Sequence, residues 1–407
     1  MKLHKLATGL ALSLPLLASA QTGPNVTLYG NLAVGMEYVN NIYQQGTVVQ
    51  PNGGRLGGDG SIGKGSSVHF NNITQTKASR WGLRGSEDLG NGLSAVFTIE
   101  SGFNVGTGTS GQGGRLMGRQ AWVGLKGDWG QLAFGRQYNM LAAGLSKADF
   151  MGPNIFGLGA LDVYIPNTRM DNSITWAGNF DGVRVGAAWA RGRDTLGPTN
   201  SAATGCGVNF QESSACRAYS MVAGYDTADF GVAAAWDVIT GAVGGDWYGL
   251  NKDQKDRRYT LNGWVKFDDL KFGLIYLNRK SDAGINGILM TRWEESFNLG
   301  KRSDFWSLSA AYQLSPQVLL DSQINYITFK DARDLAGNKV KSNAWYYIVR
   351  SQYFLSKRTS FYAQAAYIKN KGLSALAATS GTGGPNGMST KLGGNQTAMG
   401  IGMNHEF

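Results

Sequence analysis

The sequence predicts an all-β protein: a 16-stranded antiparallel transmembrane β-barrel with short turns at one end and long loops at the other. Three observations predict it. Apolar residues recur at every second position, the strand period, along most of the chain. Short and long connections alternate. The face opposite the apolar one carries charges and amides, which a packed soluble core could hold only at large desolvation cost.

Composition agrees. Charged residues are 16% of 407, against roughly 25% in an ordinary soluble domain, and there are 59 glycines. Low charge argues against a disordered chain, and a mean hydropathy of −0.22 argues against a helical membrane bundle. A barrel wall that is wet on one face accounts for both.

From the start, Leu6 to Ala18 is an apolar run behind Lys2 and Lys5 that ends in Ala18-Ser19-Ala20. It is shorter than the ~20 residues of a membrane-spanning helix. Residues 1–20 therefore read as a cleaved secretory signal peptide, and residues 21–407 as one barrel domain.

The first strand shows Val26, Leu28, Leu32, Val34, Met36 and Tyr38 on one face, with Thr27, Asn31 and Glu37 on the other. The last repeats this with Met399, Ile401, Met403 and the terminal Phe407. Between them, Val183-to-Trp189, Phe230-to-Trp236, Tyr259-to-Phe267, Trp306-to-Tyr312 and Trp345-to-Tyr353 alternate in the same way. Short turns fall near 87–92, 127–130, 181–182, 226–229, 268–270, 314–316 and 355–358. Long loops fall near 40–75, 104–114, 139–170, 192–217, 238–256, 280–300, 329–342 and 369–396. Seven short and eight long connections join sixteen strands, the even number that an antiparallel barrel needs to close. Arg80, Arg84, Glu100, Arg184, Arg258, Lys266, Asp321, Gln323, Asn325, Arg350 and Gln364 then face a water-filled lumen. Aromatics near strand ends, such as Trp189, Trp236, Phe267, Trp306, Trp345 and Tyr353, suit interfacial girdles. Small strand residues such as Gly400 and Gly402 are expected to leave the lumen open. Cys206 and Cys216, ten residues apart in one loop of an exported chain, are expected to form a local disulfide.

Several segments together resemble the trimeric general porins of Gram-negative outer membranes, most closely the β-proteobacterial branch. They are Val26-Thr-Leu-Tyr-Gly30, Ser79-Arg-Trp-Gly-Leu-Arg-Gly-Ser-Glu-Asp-Leu-Gly90, Glu100-Ser-Gly-Phe103, Gly118-Arg-Gln-Ala-Trp-Val-Gly-Leu125, Phe134-Gly-Arg-Gln-Tyr138, Tyr353-Phe-Leu-Ser-Lys-Arg358 and the phenylalanine terminus. The resemblance implies a homotrimer in outer-membrane lipid and lipopolysaccharide, passing small hydrophilic solutes and ions without enzymatic chemistry. It implies that the third long loop, residues 139–170, folds inward as the constriction loop, facing a basic cluster of Arg80, Arg84, Arg119 and Arg169, with Glu100 able to pair with them.

The loop departs from the enteric members. Its acids are only Asp149 and Asp162, and the enteric Pro-Glu-Phe-Gly-Gly is here Pro153-Asn-Ile-Phe-Gly157. Four arginines against three acids predict anion preference, through the charge rings that set pore selectivity. The alternative is that these arginines are ordinary lumen charges. Arg136 shares the outward parity of Leu132 and Phe134 and is left out of the pore. Gln120 would face outward if Arg119 faces in, which a subunit interface would explain. The second loop, 104–114, has no acid with which to latch a neighbour.

Other readings weigh less. Gly58-to-Lys64 has Walker spacing, but Gly65 stands where Ser or Thr is required. Ser61-Ile-Gly-Lys64 lacks the companion motifs of penicillin-binding enzymes. An outer-membrane barrel enzyme would need a histidine, and beyond the signal peptide only His69, read as a loop residue, and His405, on the outward face, are available. The excess positive charge is dispersed, which argues against nucleic acid. Neither cofactor nor metal is called for. A channel specific for one anion or sugar remains the main alternative to a general pore.

Overall fold

The computed structural model describes residues 25–44, 48–49, 55–56, 63–71, 77–152, 155–161, 168–192, 215–242, 250–285, 297–334, 336–379 and 390–407. The wall begins with β1 (Asn25–Gln44) and β2, which has two segments (Gly63–Asn71 and Arg80–Gly90). It continues through β3 (Leu93–Gly102), β4 (Gln120–Gly127), β5 (Gly130–Tyr138), β6 (Arg169–Phe180) and β7 (Val183–Arg191). Next come β8 (Arg217–Asp226), β9 (Phe230–Thr240), β10 (Lys255–Phe267) and β11 (Leu270–Ser281). The last five are β12 (Arg302–Ser315), β13 (Val318–Lys330), β14 (Ser342–Phe354), β15 (Thr359–Lys371) and β16 (Asn395–Glu406). The helix α1 (Met140–Leu145) lies between β5 and β6.

Each strand pairs antiparallel with the next, and β1 pairs with β16 from Asn31↔Glu406 to Val39↔Ala398, which closes the barrel. The two segments of β2 line the same edge of β1, one at Gly35–Gln44 and the other at Asn25–Asn31. Seventeen strand segments thus fill sixteen wall positions. This corrects the expected loop at 40–75, because β1 runs on to Gln44 and Gly63–Asn71 pairs with it. The end of β1 is amide-rich and Gly63–Asn71 is rich in glycine and serine, so alternation there is weak. His69 accordingly sits in a strand, not a loop.

All seven short turns fall where the sequence placed them. Asn91-Gly92 and Asp181-Gly182 show why, since both residues of each pair take positive φ, as tight hairpin turns with right-handed twist demand. Outside, the upper girdle runs as ring contacts: Tyr276–Trp306 at 4.5 Å, Tyr326–Trp345 at 4.7 Å and Tyr347–Tyr367 at 6.5 Å between centroids. Phe230, Phe267, Tyr312, Tyr353 and Phe361 form the lower exposed belt. From Tyr259 to Phe267 is about 27 Å along the strand at roughly 3.4 Å per residue, comparable with an apolar band of ~25 Å. Cys216 is buried at the start of β8, while its expected partner Cys206 lies outside the described residues.

At the long-loop rim, Asp282 accepts from the Lys255 backbone N–H at 2.9 Å and from Arg257 at 3.1 Å. Burial raises its carboxyl, but these donors outweigh burial and hold it below the ordinary carboxylate range. A depressed value means that the contact is intact above the unfolded carboxylate value and is lost as pH falls through the folded one. The Lys255 amide is therefore expected to stay protected from hydrogen exchange at neutral pH, and its protection relative to a free amide at the same pH is expected to fall only below the ordinary carboxylate range, about pH 4.

Candidate functional site

The segment after β5 turns into the barrel. Its backbone closes at the base, with the Asn139 N–H donating to the Thr168 carbonyl at 2.8 Å. Asn139 caps α1 by accepting from the Ala142 N–H at 2.9 Å, and the Met140 N–H donates to Ser220 Oγ at 2.9 Å. Met140, Leu141, Leu145, Met151, Ile155, Phe156, Leu158 and Leu161 are all buried, joined in one cluster with wall residues such as Val222, Ala235, Ile275 and Ile348. A loop this apolar can lie inside a wet barrel only by docking on an apolar strip of its wall.

Polar contacts fix its course around that wall. Arg184 Nη1 of β7 donates to the Ala143 carbonyl at 2.8 Å, and Gln323 Nε2 of β13 to Asp149 Oδ1 at 2.7 Å. Arg350 Nη2 of β14 donates to the Phe150 carbonyl at 3.3 Å, and Tyr346 Oη to the Phe156 carbonyl at 2.7 Å. Glycines allow the close approach. A Cβ on Gly273 would run into the Ala148 carbonyl oxygen, and one on Gly400 would lie 3.1 Å from the Phe156 ring. Gly400 and Gly402 therefore do not leave lumen open, because Phe156 fills the first space and Tyr362 the second. Gly273→Ala is expected to push the loop off its seat and to increase open-channel current noise in bilayer recordings. An unchanged trace would mean that the loop is not held there.

The arginines gather on the other side, over β1 to β6. Register sets Asn31 against Arg80, Tyr29 against Gly82 and Thr27 against Arg84, all on the face opposite Leu28 and Leu32. Glu100 pairs with Gly82 and is buried. Its carboxylate accepts from Arg119 Nε at 2.7 Å and from Tyr29 Oη at 3.1 Å, and it lies 3.7 Å from Arg80 Nη1. Arg119 also donates to Tyr138 Oη at 2.7 Å, and the Arg169 guanidinium stacks 5.1 Å from the centre of that ring. Arg84 lies 5.4 Å from the centre of the Tyr29 ring. Arg80, Arg84, Arg119, Arg169 and Glu100 thus form one cluster, joined by Tyr29 and Tyr138.

Members differ in access to water. Arg119 is 5% exposed and held by Glu100 and Tyr138, whereas Arg84 is exposed and Arg80 and Arg169 are partly so. The sequence treats all four as equal; burial separates one neutralised member from three that face solvent. Tyr29 and Tyr138 stood in the quoted segments, but a tyrosine's role as bridge depends on contacts that spacing does not reveal.

Other expectations fare differently. Asp149 does not face the arginines: its carboxylate is buried on the Gly152 N–H and Gln323. Asp162 lies outside the described residues. Arg136 keeps its outward register, opposite Ala121, yet is buried by its ion pair with Asp171 and a 2.8 Å bond to the Gly118 carbonyl. Arg115 binds the same Asp171 bidentately at 2.8 and 2.9 Å, which stitches the second loop to its own barrel. Gln120 faces inward opposite Glu100, because Arg119 precedes the β4 ladder and escapes its alternation. No subunit interface is needed to explain β4. His405 keeps its outward position and hydrogen-bonds Thr359 at 2.9 Å.

Known proteins resemble this arrangement. The sequence profile described as Gram-negative porin matches residues 7–373. An outer membrane porin protein of Bordetella pertussis is 30% identical over 374 residues, 86% of this chain and 91% of that protein. Outer membrane porin protein 32 of Delftia acidovorans is 26% identical over 96% of both chains. Among solved structures, an anion-selective porin from Comamonas acidovorans superposes with a TM-score of 0.67 at 22% identity, over 94% of this chain and all of that one. The trimer form of OmpT from Vibrio cholerae superposes at 0.58 and 15% identity, over 94% of this chain and 99% of that one.

Proposed function

Because this chain belongs to the Gram-negative porin family and is therefore a non-enzymatic channel of the outer membrane, we propose that it passes small hydrophilic solutes by passive diffusion, with a preference for anions. The carrying observation is the solvent-facing set Arg80, Arg84 and Arg169 beside a Glu100 that Arg119 already neutralises. Permanent guanidinium charge at a narrowed zone attracts anions and repels cations, and needs no titration at physiological pH. The described part of the segment between β5 and β6 contributes no carboxylate to this set.

Similarity to an anion-selective porin supports this reading. Similarity to a barrel solved in trimer form supports a homotrimer. Residues 1–20 are removed on export, and Cys206 and Cys216 close one loop. Intact mass of the mature protein with and without reductant tests both.

Liposome swelling with sugars of increasing size tests the diffusion reading. Rates should fall smoothly with solute radius and rise linearly with concentration. Saturation by one solute would instead indicate a solute-specific channel.

A further inference from the structure

Lys271, on the lumen side of β11, is a half-buried cation with no acid within ion-pair distance among the described residues. Its ladder neighbour on β10 is Lys266, and like charges directly opposite on a ladder destabilise it. Something other than a carboxylate must stabilise the ammonium here.

Two aromatic rings do so. Lys271 Nζ lies 4.5 Å from the centre of a Trp264 ring and 4.6 Å from the centre of the Phe150 ring. Both distances are inside the ~6 Å within which a ring face attracts a cation. The same ammonium donates to the Lys147 carbonyl at 3.3 Å. Trp264 belongs to β10 of the wall, whereas Lys147 and Phe150 belong to the inward segment that follows α1. One cation thus joins a ring of the wall to a ring of the loop.

The tryptophan is itself held in place. Its Nε1 donates to Asp226 Oδ1 of β8 at 3.1 Å, and Asp226 Oδ2 lies 3.4 Å from Arg184 Nε of β7. Gly231 of β9 makes room for the indole–carboxylate contact, because a Cβ there would collide with both Asp226 Oδ1 and Trp264 Nε1. Arg184 in turn donates to the Ala143 carbonyl of α1 at 2.8 Å. Contacts therefore run from α1 through Arg184, Asp226, Trp264 and Lys271 back to Phe150. Both ends of this chain lie on the inward segment, and every intermediate member lies on the wall.

We propose that Lys271 is a positioning residue of the channel, whose ammonium clamps the inward segment to the wall between the Phe150 and Trp264 rings. The clamp fixes how far the segment projects into the lumen, and with it the steadiness of the current that passes. It rests on the channel reading only for the existence of an open pore, and holds whichever ion permeates faster.

The test records open-channel current noise from the full-length protein in planar bilayers. Lys271→Met keeps a long apolar stem without the charge and should raise excess noise power about tenfold, the scale of a desolvated cation–π contact. Lys271→Arg should be nearly as quiet as the parent, since a guanidinium also stacks on rings. Lys266→Met, which removes a charge from the same row without touching the clamp, should be quiet too. Replacing Phe150 by mono-, di- and trifluorophenylalanine drains the ring face of negative charge at almost constant shape. Noise should rise step by step in the parent and stay flat in the Lys271→Met background. The fluorine series leaves the lysine in place, so it decides the matter even if Lys271→Met fails to fold. A quiet Lys271→Met channel would overturn the proposal, as would a Lys266→Met or Lys271→Arg channel as noisy as Lys271→Met. Noise in the parent that is indifferent to fluorine would do the same. Anion preference is read separately, from the reversal potential, so either reading can fail without the other.

Discussion

Replacing Arg80, Arg84 and Arg169 with glutamine is expected to remove most of the channel's preference for anions. Each guanidinium about 6 Å from a passing ion in water contributes roughly 0.7 kcal/mol. Three together amount to about 2 kcal/mol in favour of an anion and as much against a cation, or roughly thirtyfold for each relative to an uncharged solute at low salt. The effect should shrink at 1 M salt, where the Debye length is about 3 Å. Reversal potentials measured at both salt levels separate this account from one based on pore size, which salt would leave unchanged. Arg119→Gln should behave differently. It exposes the buried Glu100 carboxylate instead of removing a solvent-facing charge, so its first effect is on stability.

The largest stability effect is expected at Arg350. Its Nε and Nη2 bind both oxygens of Asp321 at 2.8 and 2.9 Å, and each side chain is 1% exposed. Gln352 adds a bond to Asp321 at 2.9 Å. Arg350→Met leaves the Asp321 charge buried without its counter-ion, which costs about 3–5 kcal/mol. The double variant Arg350→Met/Asp321→Leu should recover most of that loss, since no charge is then stranded. Denaturant unfolding in micelles measures both. Equal losses in the two variants would mean that Arg350 acts mainly through the Phe150 carbonyl it also holds. Either variant should raise current noise, because the inward loop loses one anchor.

Alternation and turn chemistry made the barrel legible. The strands from β7 to β16 and all seven turns follow directly from period two and from pairs such as Asn91-Gly92. Gly63–Asn71 was not legible, because Val68 and Phe70 are its only apolar residues, too few to establish a period, and its pairing with β1 is a long-range fact. The basic cluster could be read through the resemblance, residue by residue. Its hierarchy could not: Arg119 and Arg84 look alike in sequence and differ only in what covers them. Asp149 shows the same limit. An acid in an inward loop suggests a field across the pore, yet its Oδ1 accepts from the Gly152 N–H and from Gln323 because the loop docks on the wall through an apolar surface. That surface was open to inspection in Met140, Leu141, Leu145 and Met151, where an apolar loop between polar strands signals docking.

The most direct test of the account is the zero-current potential of the unmodified protein in a planar bilayer under a tenfold potassium chloride gradient. The arginine set predicts the sign of chloride permeating faster than potassium, strongest at low salt. A potential of the opposite sign would contradict the proposal that these arginines govern passage.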